Sequence, residues 1–278
     1  MFPLVRRRQL LTGAAYAAVG ISIAAPAGFL RGSGEQRRRA VEREAGAAAG
    51  QATARLGTAR VIWSVPSASD SVAFTFDDGP HPDFTPRILQ ALADSNVHAT
   101  FNVMGWAALR YPELLRDTVA AGHEIGNHTW THKDFAFTSR DETRQQLSRG
   151  KDAIEQITQT PIRFLRPPRG HINGAALQMA AELGYDVLLW SVTRGSEAGA
   201  GTVPGVTAAV AEAVKPGDVV GLHDGVGRGT FSPHLPFAKA LWDRRDIEVK
   251  ALPKILARVK ARGLTVTSAE DLIRLGSA

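Results

Sequence analysis

The sequence predicts an α/β domain built on a parallel sheet, preceded by a segment foreign to that domain. Three observations carry this reading. From Val61 onward, short runs rich in β-branched and aromatic residues alternate with longer stretches of helical periodicity. Reactive polar residues collect just after the short runs. The first sixty residues differ in composition from everything that follows.

That opening stretch reads as an address label and a tether. Arg6, Arg7 and Arg8 precede an uncharged, Ala-rich run ending at Leu30, with the small-residue pattern Ala25-Pro26-Ala27 near its end. Arg7-Arg8-Gln9-Leu10-Leu11 resembles the twin-arginine signal that exports prefolded proteins in bacteria. The run also approaches the ~20 residues that span a bilayer, so residues 1–30 are a cleaved signal peptide or a membrane anchor. Either places the domain outside the cytoplasm, in a periplasmic, cell-surface or extracellular setting. Residues 31–60, rich in Arg, Gly, Ala and Glu, read as a flexible linker.

Charge and composition then exclude several classes. Of the net charge of +6, the first fifty residues hold +5, from eight arginines against three glutamates. The remainder is nearly neutral and lacks a basic stripe with interleaved aromatics, so nucleic acid is set aside as a partner. Zero cysteine removes thiol catalysis and Cys-type zinc sites. With 278 residues, 44% apolar and 22% charged, the chain suits one domain over 61–278. A monomer is expected, with no separate carbohydrate-binding module.

Within the domain the strands are expected at 72–76, 100–103, 124–127, 163–166, 185–192, 218–222 and 264–267. Helices are expected at 85–96, 112–121, 140–158, 173–183, 203–214 and 253–262. The alternation calls for crossover helices on a parallel sheet, barrel or doubly wound. Asp77 and Asp78 follow the first strand, His128 and His132 the third, Arg166 to Arg169 the fourth, and His223 with Asp224 the sixth. In parallel α/β folds these carboxyl ends form one mouth.

The chemistry follows from the residue types. Two adjacent aspartates repel unless a cation sits beside them. In HTWTH, imidazoles four positions apart share one side of a helical turn and can grip a metal, although chance pairs are common. With an aspartate they form a His-His-Asp set that leaves a coordination position open for hydrolysis.

With these residues assembled, the stretch from Val61 to Ser277 resembles the NodB-type polysaccharide deacetylases of carbohydrate esterase family 4. TFDDGP, GHEIGNHTWTH, RPPRG and GLHDG stand in that family's order. The resemblance implies a distorted (β/α) barrel, a divalent metal, most often Zn²⁺ with Co²⁺, Ni²⁺ or Mn²⁺ as alternatives, and hydrolysis of acetyl groups on a polysaccharide. It implies Asp78, His128 and His132 as metal ligands, Asp77 as general base, Arg166 as the cation orienting it, and His223 as general acid. The backbone N–H of Arg169 is the implied oxyanion donor, and Gly221 and Leu222 stand at the implied acetyl pocket, to which Trp190 is expected to add an aromatic sugar-stacking face.

The chain departs from the family pattern at three places. Arg169 stands where an aromatic residue is usual. Thr193-Arg194-Gly195-Ser196-Glu197 replaces an Asp-x-x-Asp-Trp segment whose second aspartate supports the acid histidine, which leaves Glu197 as the expected substitute. Gly221 replaces a leucine that lines the acetyl pocket. The leading expectation is an exported enzyme that removes N-acetyl groups from N-acetylglucosamine-type residues of peptidoglycan, a chitin-like glycan or an exopolysaccharide. An O-acetyl esterase of the xylan type and a catalytically impaired, metal-retaining glycan-binding protein are the alternatives. The remaining histidines, His81, His98, His123, His171 and His234, are expected in packing or solvated roles.

Overall fold

The structure is a computed structural model that describes residues 58–66, 70–194 and 201–277. The expected export segment, the linker up to residue 57, Ser196 and Glu197 lie outside the described residues. Among the described residues no helix is long and apolar enough to cross a membrane.

Among the described residues nine strands form one sheet. They are β1 Val61–Ile62, β2 Ser71–Asp77, β3 Thr100–Val103, β4 Glu124–Asn127, β5 Phe164–Leu165, β6 Asp186–Leu188, β7 Val192–Thr193, β8 Val219–His223 and β9 Thr265–Thr267. Every pairing between them is parallel, in the order β1-β6-β5-β4-β3-β2-β8-β7, with β9 beside the first half of β2. The expected strand 185–192 is two strands. Its first half pairs with β1 and β5, its second with β8, and Leu189 to Ser191 make the change: Leu189 N donates to Ile62 O and Ser191 N to Val219 O. One extended segment thus serves both ends of the strand order and draws them together. An antiparallel bridge between Ser64 and Asp218 closes the same seam.

The helices are α1 Thr85–Asp94, α2 Gly105–Arg110, α3 Pro112–Ala120, α4 Arg140–Thr158, α5 Gly174–Glu182, α6 Val203–Ala213, α7 Pro236–Ala261 and α8 Ala269–Gly276. Local sequence explains most of their ends. Ser139 caps α4 by accepting from Glu142 N, with Glu142 at the third helical position, and Ser268 caps α8 through Asp271 N. The largest difference from expectation is α7, which begins seventeen residues before Pro253 and runs through it. A proline reads as a helix start because its missing N–H costs nothing there. Here packing on both sides carries the helix across it.

Strand alternation sorts the interior into two layers. All seven residues of β2 are buried. Val72, Phe74 and Phe76 face the helices and join the main core with Ile88, Leu92, Val220 and Leu222. Ala73 lies on the opposite, inner face in a smaller cluster with Phe164, Leu188 and Val219. Thr75 and Asp77 continue that inner row toward the carboxyl end. Small inner residues leave room for one large polar side chain, that of Arg166.

Gly217 sits at the seam with φ +82°, and a Cβ there would lie 2.1 Å from Val65 O. Gly217→Ala is therefore expected to lose about 2 kcal/mol of stability, a fall of about 4–8 °C in Tm by calorimetry, with metal affinity unchanged.

Candidate active site

The inner row ends at the polar cluster. Arg166, directly after β5, is fully buried. Its Nη1 donates to both oxygens of Asp77 at 3.0 Å, its Nη2 to Thr75 Oγ1 at 3.0 Å and Leu189 O at 3.2 Å, and its Nε to Leu188 O. A buried guanidinium is tolerable only when its donors are met in this way. Asn102 Nδ2 adds a bond of 2.7 Å to Asp77 Oδ1. Burial pushes the Asp77 carboxyl up, but Arg166, with His128 and His223 adding to it, outweighs burial and holds it below its ordinary range. Asp77 therefore stays ionised in a nearly dry site.

Asp78 turns the other way, at φ +79°. His128 Nε2 and His132 Nε2 approach its Oδ1 at 3.4 and 3.3 Å, and the three ligand atoms lie within 4.8 Å of one another. Three facts fit this set to a cation. Asp78 Oδ1 is buried without a hydrogen-bond partner. His128 Nδ1 donates to Arg166 O at 2.7 Å, which leaves the Nε2 lone pair aimed at that carboxylate oxygen. Burial lowers the His132 imidazole to about 4, so it is a neutral nitrogen donor at pH 7. Burial lowers the His128 imidazole, but Asp77 and Asp78 outweigh it and raise it, so a positive charge is favoured between Nε2 and Asp78 Oδ1, a proton or a divalent cation, and N₂O donors of this kind suit zinc and its neighbours.

The histidines do not sit on a helical turn as expected. They occupy a tight turn after β4 in which Thr129 has φ +68° and His132 φ +57°. Among the described residues six non-glycine residues have positive φ, and four of them (Asp78, Thr129, His132 and Arg169) are at this site. A β-branched residue at positive φ is strained, and neighbouring bonds hold it there. Asn127 Oδ1 accepts from Thr129 N at 2.8 Å and Gln146 Oε1, on α4, from Thr131 N at 2.9 Å.

Across the mouth, His223 ends β8 and is the register partner of Asp77 on the adjacent strand. Its Nδ1 lies 2.9 Å from Oε2 of Glu248, a buried residue of α7. Sequence reasoning assigned that supporting role to Glu197 and missed Glu248. It also missed Arg245, one turn earlier on the same face. Arg245 donates to Asp78 Oδ2 at 3.0 Å, to Gly225 O at 2.7 Å and to Glu248 Oε1 at 3.4 Å. Arg245 thus occupies the aspartate oxygen that does not face the histidines. Asp224, next to His223, is buried too. Its Oδ1 accepts from Gly79 N at 3.0 Å and its Oδ2 from Thr85 Oγ1 at 2.7 Å, which ties down the loop after Asp78.

The pocket residues divide by strand alternation. Gly221 faces inward, and a Cβ there would meet the Trp190 ring at 3.1 Å. The indole, with the Arg166 guanidinium 5.2 Å from its centroid, fills the space a leucine would take. Leu222 corrects the expectation: it points to the helix side, 1% exposed in the main core, and cannot line a pocket on the inner face. Arg169 adopts φ +60°, and its side chain leaves the cluster toward Asp134, with Nε 3.7 Å from Oδ2. His171 meets the same aspartate at 2.9 Å.

Comparison with known proteins now decides the family. A polysaccharide deacetylase model matches residues 64–188. The peptidoglycan-N-acetylglucosamine deacetylase of Bacillus cereus is 36% identical over 220 residues, 78% of this chain and 94% of that protein. The chain belongs to the NodB-type polysaccharide deacetylases of carbohydrate esterase family 4. The chitooligosaccharide deacetylase of Sinorhizobium fredii is 34% identical over 203 residues, 73% of this chain and 91% of that one. Among solved structures, the Bc1960 peptidoglycan N-acetylglucosamine deacetylase superposes with a TM-score of 0.67 at 29% identity, over 77% of this chain and 92% of that one. The deacetylase is a hydrolase with the distorted barrel of its family, and its Asp-His-His cluster is a candidate divalent-metal site.

Arg245→Met is expected to free Asp78 Oδ2 and lower Zn²⁺ affinity about 10–100-fold, read by competition with a chromophoric chelator. Unchanged affinity would show that Asp78 is positioned without it.

Proposed function

We propose that the deacetylase hydrolyses N-acetyl groups of N-acetylglucosamine-type residues in peptidoglycan or a chitin-like glycan and releases acetate. The observation that carries this reading is a clamped carboxylate, Asp77, and a carboxylate-bonded imidazole, His223, side by side across the Asp78-His128-His132 cluster. An amide resists hydrolysis because its nitrogen is a poor leaving group until it is protonated, so a dedicated acid opposite the base suits an amide better than an ester. The relatives named above act on peptidoglycan N-acetylglucosamine and on chitooligosaccharides, which supports the same substrate class.

Asp78, His128 and His132 would hold a divalent cation, most simply Zn²⁺. When bound, that cation supplies a Lewis acid for the acetyl carbonyl and lowers the pKa of water. Asp77, kept ionised by Arg166, takes the proton of the attacking water. Its orientation is fixed by Asn102 and Arg166 before substrate arrives, so little reorganisation remains for the reaction. The Arg169 N–H stabilises the developing oxyanion, a role that does not depend on its side chain. His223 delivers a proton from Nε2 to the departing sugar nitrogen, and the indole of Trp190 beside Gly221 forms the acetyl wall.

Acetate release from N-acetylglucosamine oligomers and peptidoglycan tests this directly. The Zn²⁺-loaded protein is expected to release acetate, to lose this activity to a chelator and to regain it with Zn²⁺. Asp77→Asn is expected to lower kcat by about 10²–10⁴ while retaining metal. Release from O-acetylated xylan alone would replace the N-acetyl reading with an esterase.

We further propose that the protein acts outside the cytoplasm, on the evidence of Arg6 to Leu30. A reporter fused to residues 1–60 is expected in the exported fraction, and a variant with Arg7→Lys and Arg8→Lys is expected to stay inside. Equal partitioning of both fusions would refute a twin-arginine route.

A further inference from the structure

We infer that Glu248, on α7, is the positioning residue that orients His223 and stabilises the imidazolium form from which it donates to the leaving nitrogen. The inference rests on the deacetylase reading above and names a residue that no strand-end motif contains.

The geometry is specific. Glu248 is 2% exposed. Its Oε2 faces His223 Nδ1 at 2.9 Å, while its Oε1 receives Arg194 Nη1 at 3.2 Å and Arg245 Nη1 at 3.4 Å. A neutral imidazole bonded this way carries its proton on Nδ1 and leaves a lone pair on Nε2. The same bond, with Nδ1 anchored, aims Nε2 at the mouth, so a second proton resides on the atom that faces the substrate. Glu248 must be ionised to act this way. Burial pushes its carboxyl up, but His223, Arg245 and Arg194 outweigh burial and hold it at about 2.

A purely structural network explains this less well. Arg245 and Glu248 lie three residues apart on the stripe of α7 that also buries Ala238, Val249 and Leu252. For folding alone, apolar residues would serve such a stripe as well or better, because desolvating charges costs several kcal/mol per ion. Both residues instead spend their polar atoms on active-site groups, Arg245 on Asp78 and Glu248 on His223.

His223 feels other charges, and the test must separate them. Asp77 at the end of β2, Asp78 just after it and His132 from the turn after β4 interact with the ring electrostatically, Asp224 is its chain neighbour, and Arg194 after β7 and Arg245 on α7 act on it through Glu248, which both bond. Among the described residues, Glu248 is the carboxylate bonded directly to it. An adjacent anion stabilises imidazolium, so removing the charge lowers the pKa of His223 and moves the alkaline limb of the activity profile to lower pH.

The experiment uses the full chain loaded with Zn²⁺. The His223 ring is followed by ¹⁵N-histidine NMR titration, and acetate release is measured against pH, in wild type, Glu248→Gln and Glu248→Asp. In Glu248→Gln the His223 pKa is expected to fall by about one unit or more, the alkaline limb to move with it, and kcat to drop about 10–100-fold with KM within about twofold. Glu248→Asp keeps the charge and is expected to return both the titration and the limb toward wild type. A folded, metal-retaining Glu248→Gln protein whose His223 titrates as in wild type would overturn the inference. Failure of the wild type to act on N-acetylated glycans would sink the substrate reading alone, because the titration still decides the role of Glu248.

Discussion

The buried pair of Arg166 and Asp77 sets the terms for the rest of the active site. A guanidinium at zero exposure is tolerable only with its donors met, and here they tie together the ends of β2 and β5 and the carbonyls of Leu188 and Leu189 where the chain passes from β6 to β7. That single side chain therefore reaches the place where the two ends of the strand order meet. It also takes up inner space beside Thr75, whose hydroxyl it bonds, while the Trp190 ring next to it occupies the space over Gly221. Catalytic polarity and barrel shape are consequences of the same packing decision.

From that anchor the two aspartates acquire opposite duties. Asp77 faces inward and is satisfied by Arg166 and Asn102, whereas Asp78, forced to positive φ, faces the imidazoles with one oxygen and Arg245 with the other. Each aspartate has its own arginine, from the residue after β5 in one case and from α7 in the other. The repulsion expected between neighbouring carboxylates is removed by separating their directions and giving each a cation. Gly225 and Gly227 make the second orientation possible, since a Cβ at either would press on Asp78.

Much of this was legible because strand ends are contiguous in sequence. Asp77, Asp78, His128, His132, Arg166 and His223 all follow strand-like runs, and a parallel sheet gathers such positions at one mouth whatever the loops do. Other features obeyed tertiary forces that no local pattern records. Thr129 and His132 take positive φ against their own preference because Asn127 and Gln146 bind the turn. Arg245 and Glu248 resemble an ordinary surface ion pair at i, i+3, and Pro253 hides the helix that carries them. Leu222 and Gly221 could be ordered only by knowing which face of β8 looks inward.

Helix α7 also changes how the departure from the family's Asp-x-x-Asp-Trp segment should be understood. A carboxylate beside the acid histidine is a requirement of geometry and charge, not of any one loop. What matters is an anion at Nδ1, kept ionised despite burial, on an element rigid enough to hold the ring. A long helix packed along β8 meets that requirement better than a surface loop, because its backbone is fixed by its own hydrogen bonds and by the core beneath Val249 and Leu252. Placing Arg245 on the same face adds a constraint that a loop carboxylate lacks, since the guanidinium that neighbours Glu248 also grips Asp78. Glu248 and Arg245 thus tie His223 at the end of β8 and Asp78 after β2 to the same helix, so a displacement of α7 would disturb both groups of the proposed mechanism together.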